Sequence, residues 1–145
     1  MKRVGAKANI LKVSERLKSS LETAGRNKHY PPAHVLFHED GNNVGVFLVR
    51  KGKVRMSVKN LPSLDRDFPV GSLLGLPATF TGRPYSLTAV TLAESEVVYM
   101  PRKQFLELMR ERPELCREAT DILGHEVTFI QSALAKRRRQ LVTAS

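Results

Sequence analysis

Residues 75–86 form a loop whose composition suits the binding of an anion. The segment reads GLPATFTGRPYS and contains two glycines, two prolines and one arginine, but no carboxylate. Pro77 suits the first position of a short helix, whose free backbone N–H groups and dipole attract negative charge. Arg83 and Ser86 add a cation and a hydroxyl. The segment is therefore the first candidate for a binding site.

Other residues that could carry chemistry are sparse. His34 and His38 would lie about 13 Å apart on a strand, too far to share one metal ion. Cys116 is the single cysteine, so it has no internal disulfide partner, and we expect it to pack in a helix seam. His125 is expected at a helix surface or interface. No nucleophile elbow, phosphate loop, HExxH motif or carboxylate pair is present, so we predict no enzyme and no metal site.

Charge makes an anionic partner worth considering. The 145 residues hold 24 Lys+Arg against 14 Asp+Glu, a net charge of +10. Part of the excess lies in Met1–Lys28 and part in Lys136–Arg139, at opposite ends of the chain, where solvated helix ends account for it. Non-specific nucleic-acid binding through these basic termini is an alternative.

Length and composition predict one globular domain in a reducing compartment. The hydrophobic fraction of 41% is close to that of globular proteins, and 145 residues suffice to bury a core. The start, MKRVGAKANI, lacks the apolar stretch of a secretory signal, and the apolar runs elsewhere are too short to span a bilayer. We predict a soluble, cytoplasmic protein without membrane contact.

The periodicity then indicates which elements position the loop. Apolar residues at helical spacing predict a surface helix from Ala8 to about Ala24, ended by Gly25. From Tyr30, short β-like runs separated by turns such as Pro31-Pro32 predict a compact all-β unit.

Two strand pairings are expected within this unit. Lys51-Gly52 is predicted to turn a β-hairpin whose second strand has Val54 and Met56 on one face and Arg55 on the other. Two β-branched runs, Tyr85–Leu92 and Glu96–Met100, are expected to pair with each other.

Two helices are predicted after the β unit. The first starts at Pro101 with an apolar stripe of Phe105, Leu106 and Met109, and the second runs from Pro113 to about Leu141. Apolar residues spaced alternately four and three form a heptad seam, which predicts a homodimer. The alternative is a helix packed on its own β unit through Ile122 and Phe129. The expected interface residues are Leu123, Val127, Ile130, Leu134, Arg137 and Leu141.

Three segments resemble the cyclic nucleotide-binding domain of the catabolite-activator and FNR family of regulators. They are LFHEDG at 36–41, VFLVRKGKV at 46–54 and GSLLG at 71–75. The resemblance implies a mainly β fold with flanking helices, in which a jelly-roll-like β-barrel is followed by a long dimerisation helix. It divides the single domain into an N-terminal basic helix (1–28), the barrel with a phosphate-cassette-like loop at 71–87 (29–101), and the C-terminal helices (102–145).

The resemblance also implies a ligand pocket that has lost its anchors. The family cassette has a glutamate after the glycine matching Gly75, and an arginine before a hydroxyl residue matching Ser86. Leu76 and Tyr85 stand at those positions. The pocket candidates are Gly71, Leu74, Gly75, Leu76, Pro77, Arg83, Tyr85 and Ser86.

The sequence therefore predicts a non-enzymatic regulatory module whose pocket is not suited to cyclic AMP, acting through another small anionic ligand or a protein partner. One alternative is a working cyclic-nucleotide sensor that uses Arg83 and Ser86, with the nucleotide as its only cofactor-like ligand. Family regulators read DNA through a helix-turn-helix domain, and if this chain is complete we expect no direct DNA reading by that route.

Overall fold

The structure is a computed structural model that describes residues 10–144. In chain order the elements are α1 (Glu15–Ala24), β1 (Arg26–Tyr30), β2 (Val35–Phe37), β3 (Gly45–Lys51), β4 (Val54–Ser57), β5 (Arg66–Phe68), β6 (Leu73–Leu74), α2 (Leu76–Thr81), β7 (Thr88–Thr91), β8 (Ser95–Pro101), α3 (Arg102–Glu111) and α4 (Pro113–Ala144). A 3₁₀ turn, Pro62–Leu64, precedes β5.

The strands form two antiparallel sheets of four strands each. The first sheet has the order β1-β8-β3-β6 and the second has the order β2-β7-β4-β5. No hydrogen-bonded strand pair joins the two sheets within residues 10–144, so the β unit is a two-sheet jelly-roll-like sandwich, not a closed cylinder. The predicted fold class, mainly β with flanking helices and a long C-terminal helix, is confirmed.

The apolar core has two layers with the first sheet between them. Val46 and Leu48 of β3 face the helices, whereas Phe47 and Val49 face the second sheet. Both sets are buried, which explains why this strand reads as a continuous apolar run instead of alternating. The helix-side layer contains Leu17 of α1, Phe105 of α3 and, from α4, Leu115, Ala119 and Ile122.

The predicted hairpin at Lys51-Gly52 is wrong. β3 pairs with β6 and β8, whereas β4 pairs with β5 and β7, so the turn carries the chain from one sheet to the other. A strand has two edges, and both edges of β3 are taken. The alternation along β4 is nevertheless confirmed, since Val54 and Met56 are buried and Arg55 is exposed.

The predicted pairing of Tyr85–Leu92 with Glu96–Met100 is also wrong. β7 lies between β2 and β4 in the second sheet, while β8 lies between β1 and β3 in the first. The strand itself begins at Thr88, and the segment before it, which includes Tyr85, is not in a strand.

The N-terminal helix is shorter than predicted. The expected start at Ala8 lies outside the described residues, and α1 begins at Glu15 because the Ser14 hydroxyl accepts from the Leu17 amide as an N-cap. Glu118 of α4 holds this cap, as its two carboxylate oxygens accept from the Ser14 amide and hydroxyl at 2.6 Å. Gly25 ends the helix as predicted.

The two C-terminal helices form where the sequence predicts them. Pro101 is the N-cap of α3, which buries Phe105 and Met109. α4 is a single helix of 32 residues, about 48 Å long. None of the helices within residues 10–144 combines the length and apolar character needed to traverse a bilayer. The division of the chain at residues 28 and 101 stays a prediction.

Candidate functional site

The cassette segment, residues 71–87, connects β6 to β7 and contains α2. Gly75 precedes the helix with a φ of +89°, a left-handed conformation that disfavours other residues. α2 begins one residue earlier than expected, at Leu76, so Pro77 lies within its first turn and not at its first position. Gly82 ends the helix, again with a positive φ. The backbone thus turns sharply at both ends of a six-residue helix.

Tyr85 is a core residue between the two sheets. Its ring stacks on Phe37 with centroids 3.9 Å apart and an interplanar angle of 16°. Its hydroxyl donates to the Gly45 carbonyl at 2.7 Å and accepts from the Val44 and Gly45 amides at 3.1 Å. Only 2% of the residue is exposed. Burial raises the pKa of the Tyr85 phenol, and the two backbone N–H donors partly oppose this rise.

Leu76 is equally buried, on the helix side of the first sheet. It is 1% exposed and belongs to the layer that contains Leu17 and Phe105. The position that the resemblance matches to the acid of the family cassette is therefore packed in an apolar cluster. A carboxylate here would lose its hydration without gaining a cation.

Arg83 does not reach the interior. The residue is exposed, and its amide donates a 3.3 Å hydrogen bond to the Thr81 hydroxyl. The segment around it is not part of a strand, and the expected projection from the same face as Tyr85 stays a prediction.

A small cavity lies where α2, the two sheets and α4 meet. Its volume is about 20 Å³, room for about one water molecule. Ligand pockets for drug-sized molecules are roughly 300–1,000 Å³. Its lining residues are Phe37, Met56, Leu73, Gly75, Leu76, Pro77, Ala78, Tyr85, Ser86, Leu87, Glu126 and Ile130.

The cavity brings together five of the eight sequence candidates. Gly75, Leu76, Pro77, Tyr85 and Ser86 line it, whereas Gly71, Leu74 and Arg83 do not. Gly71 lies in a turn covered by the Lys12 side chain, which a Cβ at this position would meet at 3.2 Å. Leu74 packs in the layer between the sheets.

Sequence reasoning missed the contribution of α4 to the cavity. Glu126 is 8% exposed and lines it, and so does Ile130, which the heptad pattern assigned to the dimer seam. Residues 115, 119, 122 and 126 are spaced four, three and four apart, so they share one helix face. That spacing could have identified Glu126, but a charged side chain interrupts the apolar pattern by which a buried helix face is recognised.

Glu126 is paired with a buried arginine of the second sheet. Arg66 on β5 is 5% exposed, and its Nη2 donates to Oε1 of Glu126. Burial raises the pKa of the Glu126 carboxyl, although the charge and hydrogen bond of Arg66 act in the other direction. Burial likewise lowers the pKa of Arg66. Desolvation outweighs the mutual attraction for both partners, as is usual for buried ion pairs.

The heptad seam of α4 lies on the face next to the Glu126 stripe, and its residue Ile130 lines the same cavity as Glu126. Val127, Leu134 and Leu141 are 39%, 37% and 58% exposed. Leu123 and Arg137 are half-buried, and Cys116 packs partly buried against the helix-side core. Beside this seam runs a broad groove that includes Thr128, Ser132 and Lys136. The seam thus packs partly on its own domain, at Cys116, Leu123 and Ile130, and leaves Val127, Leu134 and Leu141 exposed.

The other reactive residues do not converge on a site. Among residues 10–144, no group of three or more His, Cys, Asp or Glu side chains is placed to hold a metal ion. His34 stacks on Tyr30 with ring centroids 4.1 Å apart. His125 is exposed on α4.

Comparisons with known proteins agree with this architecture. Residues 27–112 match the family model described as "Cyclic nucleotide-binding domain". The chain is 26% identical over 125 residues to the HTH-type transcriptional regulator Cmr of Mycobacterium tuberculosis, covering 80% of this chain and 48% of that protein. The chain therefore spans about half the length of the curated relative it matches.

Solved structures share the fold at low sequence identity. The catabolite activator protein of Thermus thermophilus superposes with a TM-score of 0.59 at 20% identity, covering 91% of this chain and 58% of that one. The c-di-GMP-responsive global regulator CLP of Xanthomonas campestris gives 0.62 at 16% identity, covering 89% and 63%. These similarities concern the fold.

Proposed function

This chain belongs to the cyclic nucleotide-binding domain family, and we propose that it is a regulatory module whose own side chains occupy the nucleotide pocket. The family match covers more than half of the chain, and a regulatory, non-enzymatic role is part of the proposal. The module would respond to another ligand or to a protein partner in place of cyclic AMP. A cytoplasmic location is part of the proposal.

The observation that carries this proposal is the position of Tyr85. Its ring stacks on Phe37, and its hydroxyl is satisfied by three backbone groups of Val44 and Gly45. The remaining cavity of about 20 Å³ is more than tenfold smaller than a pocket of ordinary size. A cyclic nucleotide would have to displace a fully bonded core residue.

The absence of the two side chains that anchor the nucleotide in the family also argues against cyclic-nucleotide binding. Leu76 and Tyr85 replace an acid that accepts from the ribose and a cation that neutralises the phosphate. A hydrogen bond to a charged group contributes about 1.5–3 kcal/mol, so losing two weakens binding by roughly a hundredfold to ten-thousandfold. The exposed position of Arg83 favours this proposal over a sensor that uses Arg83 and Ser86.

Titration calorimetry with cyclic AMP, cyclic GMP and c-di-GMP tests the proposal. c-di-GMP is included because one structural relative is described as responsive to it. We expect no heat of binding at ligand concentrations up to about 100 µM, where a micromolar site would saturate. Micromolar binding that Arg83→Ala abolishes, while the charge-matched control Arg138→Ala leaves it intact, would instead establish the sensor.

We also propose that the module is a homodimer through the seam of α4. Val127 and Leu134 are apolar, spaced seven residues apart and more than a third exposed. A 48 Å helix extends beyond the core that its first turns cover. Interhelical packing of the seam would remove these side chains from water.

A further inference from the structure

Arg66 lies in a narrow slot with aromatic walls. Its Cζ lies 3.6 Å from the ring centroid of Phe129 on α4 and 4.8 Å from that of Phe68 on its own strand. A planar guanidinium stacks well on aromatic faces, and such a slot excludes water while leaving the edge of the guanidinium available. The edge of the group is therefore the only part that can accept a ligand.

The donors on that edge are incompletely used. Nη2 donates to Glu126, but Nε and Nη1 are buried and have no hydrogen-bond acceptor among the residues that the structure describes. Arginine has five N–H donors in a fork that matches a carboxylate in a bidentate geometry. Arg66 thus has the burial and the unused donors of an anion-binding residue.

The carboxylate that meets this fork comes from the middle of α4. Leu115, Ala119 and Ile122 hold the first turns of the helix in the core, and each is at most 4% exposed. After Glu126 no residue of α4 up to residue 142 is fully buried. Glu126 is the last fully buried residue of α4 among residues 113–142, and beyond it Phe129 and Ile130 are half-buried against the domain.

We propose that Arg66 is a carboxylate-binding site whose resident ligand is the side chain of Glu126, tethered by α4. The pair latches the second half of α4 onto the second sheet. A small carboxylate able to enter the slot between Phe68 and Phe129 is the chemical class of ligand that this site takes. The inference does not depend on the loss of cyclic-nucleotide binding, since neither Arg66 nor its aromatic walls belong to the cassette segment.

Chemical rescue separates a ligand site from an ordinary buried contact. Removing one partner of a buried ion pair is strongly destabilising, because the other charge is left buried without compensation. Glu126→Ala should therefore lower the Tm of the full chain by roughly 5–15 °C. It also leaves space beside Arg66 of the size of a free carboxylate.

The experiment measures Tm in sodium formate and in sodium chloride at equal ionic strength. We expect formate at roughly 50 mM to restore at least half of the Tm lost in Glu126→Ala and to leave the wild type unchanged, because binding to the folded state alone stabilises it. Arg66→Met/Glu126→Ala should show no rescue. Glu114→Ala is the matched control, since Glu114 in the first turn of α4 forms a half-buried ion pair with Arg112, the residue just before the helix.

Hydrogen exchange provides a second readout that tests the latch itself. In Glu126→Ala, amides of 127–142 should exchange roughly tenfold faster while amides of 115–122 keep their protection, and formate should reverse the change. Glu126→Gln, which keeps the side-chain length and an acceptor, should fold if the alanine variant does not, and should show a smaller acceleration in the same segment. Equal rescue by chloride and formate, or uniformly faster exchange over all of α4, would overturn the proposal.

Discussion

The hydroxyl oxygen of Tyr85 lies 2.7 Å from the carbonyl oxygen of Gly45 and 3.1 Å from the Gly45 amide nitrogen. One side chain of the cassette segment therefore satisfies both backbone groups of the first residue of β3. Gly45 also pairs with Pro101, where β8 passes into α3. Tyr85 consequently ties the cassette to the strand ends from which the C-terminal helices begin.

Removing only the hydroxyl tests how much these hydrogen bonds contribute. Tyr85→Phe keeps the ring stacked on Phe37 but removes the hydroxyl that bonds the buried amide and carbonyl of Gly45 and the partly buried amide of Val44. We therefore expect the free energy of unfolding to fall by about 1–3 kcal/mol. Urea unfolding measures this change in the free energy of unfolding. Tyr99→Phe is the matched control: the Tyr99 hydroxyl donates to the Val44 carbonyl at an exposed position, and its loss should cost under about 1 kcal/mol. Equal losses in both variants would contradict the interpretation of Tyr85 as the buried anchor.

Removing the whole side chain should open the pocket. Tyr85→Ala should cost about 3–5 kcal/mol and leave a cavity beside Phe37. p-Cresol, which reproduces the lost ring and hydroxyl, should then raise the Tm of the variant and leave the wild type unchanged, as measured by differential scanning fluorimetry. Cyclic AMP should have no such effect, because the phosphate would still lack a cation. A rise in Tm with cyclic AMP would show that steric closure alone excludes the nucleotide.

The buried carboxyl should give the protein a distinctive pH dependence. The pKa of Glu126 is raised from 4.5 by burial, against the attraction of Arg66 and His125, so the folded chain holds its proton to higher pH than the unfolded chain. Its contribution to the free energy of unfolding therefore falls as pH rises from about 4.5 through the folded pKa, by up to about 1.4 kcal/mol per pH unit. The free energy of unfolding of Glu126→Gln, measured in urea and taken relative to wild type, should therefore increase as pH rises over this interval.

Glu114→Gln is the control for that measurement. A hydrogen bond from Arg112 is the main cause that lowers the pKa of Glu114, so its stabilising contribution is present above pH 4.5 and is lost as pH falls below it. The two variants should thus differ from wild type in opposite senses and in different pH ranges. If the difference between Glu126→Gln and wild type is flat from pH 4.5 to about 7, Glu126 is ionised normally and its assignment as a buried carboxyl fails.

The seam of α4 predicts an effect on oligomeric state. Leu134→Glu places a charge at a seam position that a dimer would bury, and we expect the dissociation constant to rise at least about a hundredfold, since an unpaired buried charge costs several kcal/mol. Sedimentation equilibrium measures the dissociation constant of the dimer. Gln131→Glu introduces the same charge at an exposed position off the seam and should leave the dimer intact. A wild-type chain that is monomeric at about 100 µM would refute the proposed interface.

Local sequence determined the elements and their approximate limits. Pro101 and Pro113 start helices because a proline lacks the N–H that the first turn leaves unused, and both helices are found there. The alternation of Val54, Arg55 and Met56 identified a strand with one buried face. These features depend on neighbours along the chain, so a single sequence suffices to predict them.

Tertiary structure decided which strands pair with each other and which side chains lie at the cassette. Lys51-Gly52 has the composition of a hairpin turn, yet both edges of β3 are taken by strands that come later in the chain. The family resemblance implied that Leu76 and Tyr85 stand where the cassette has an acid and a cation. It did not show that Tyr85 would lie on Phe37, that Arg83 would stay outside, or that α4 would bring Glu126 to Arg66. Each of these depends on contacts between distant segments, which are set by competition for a shared core and not by any local pattern.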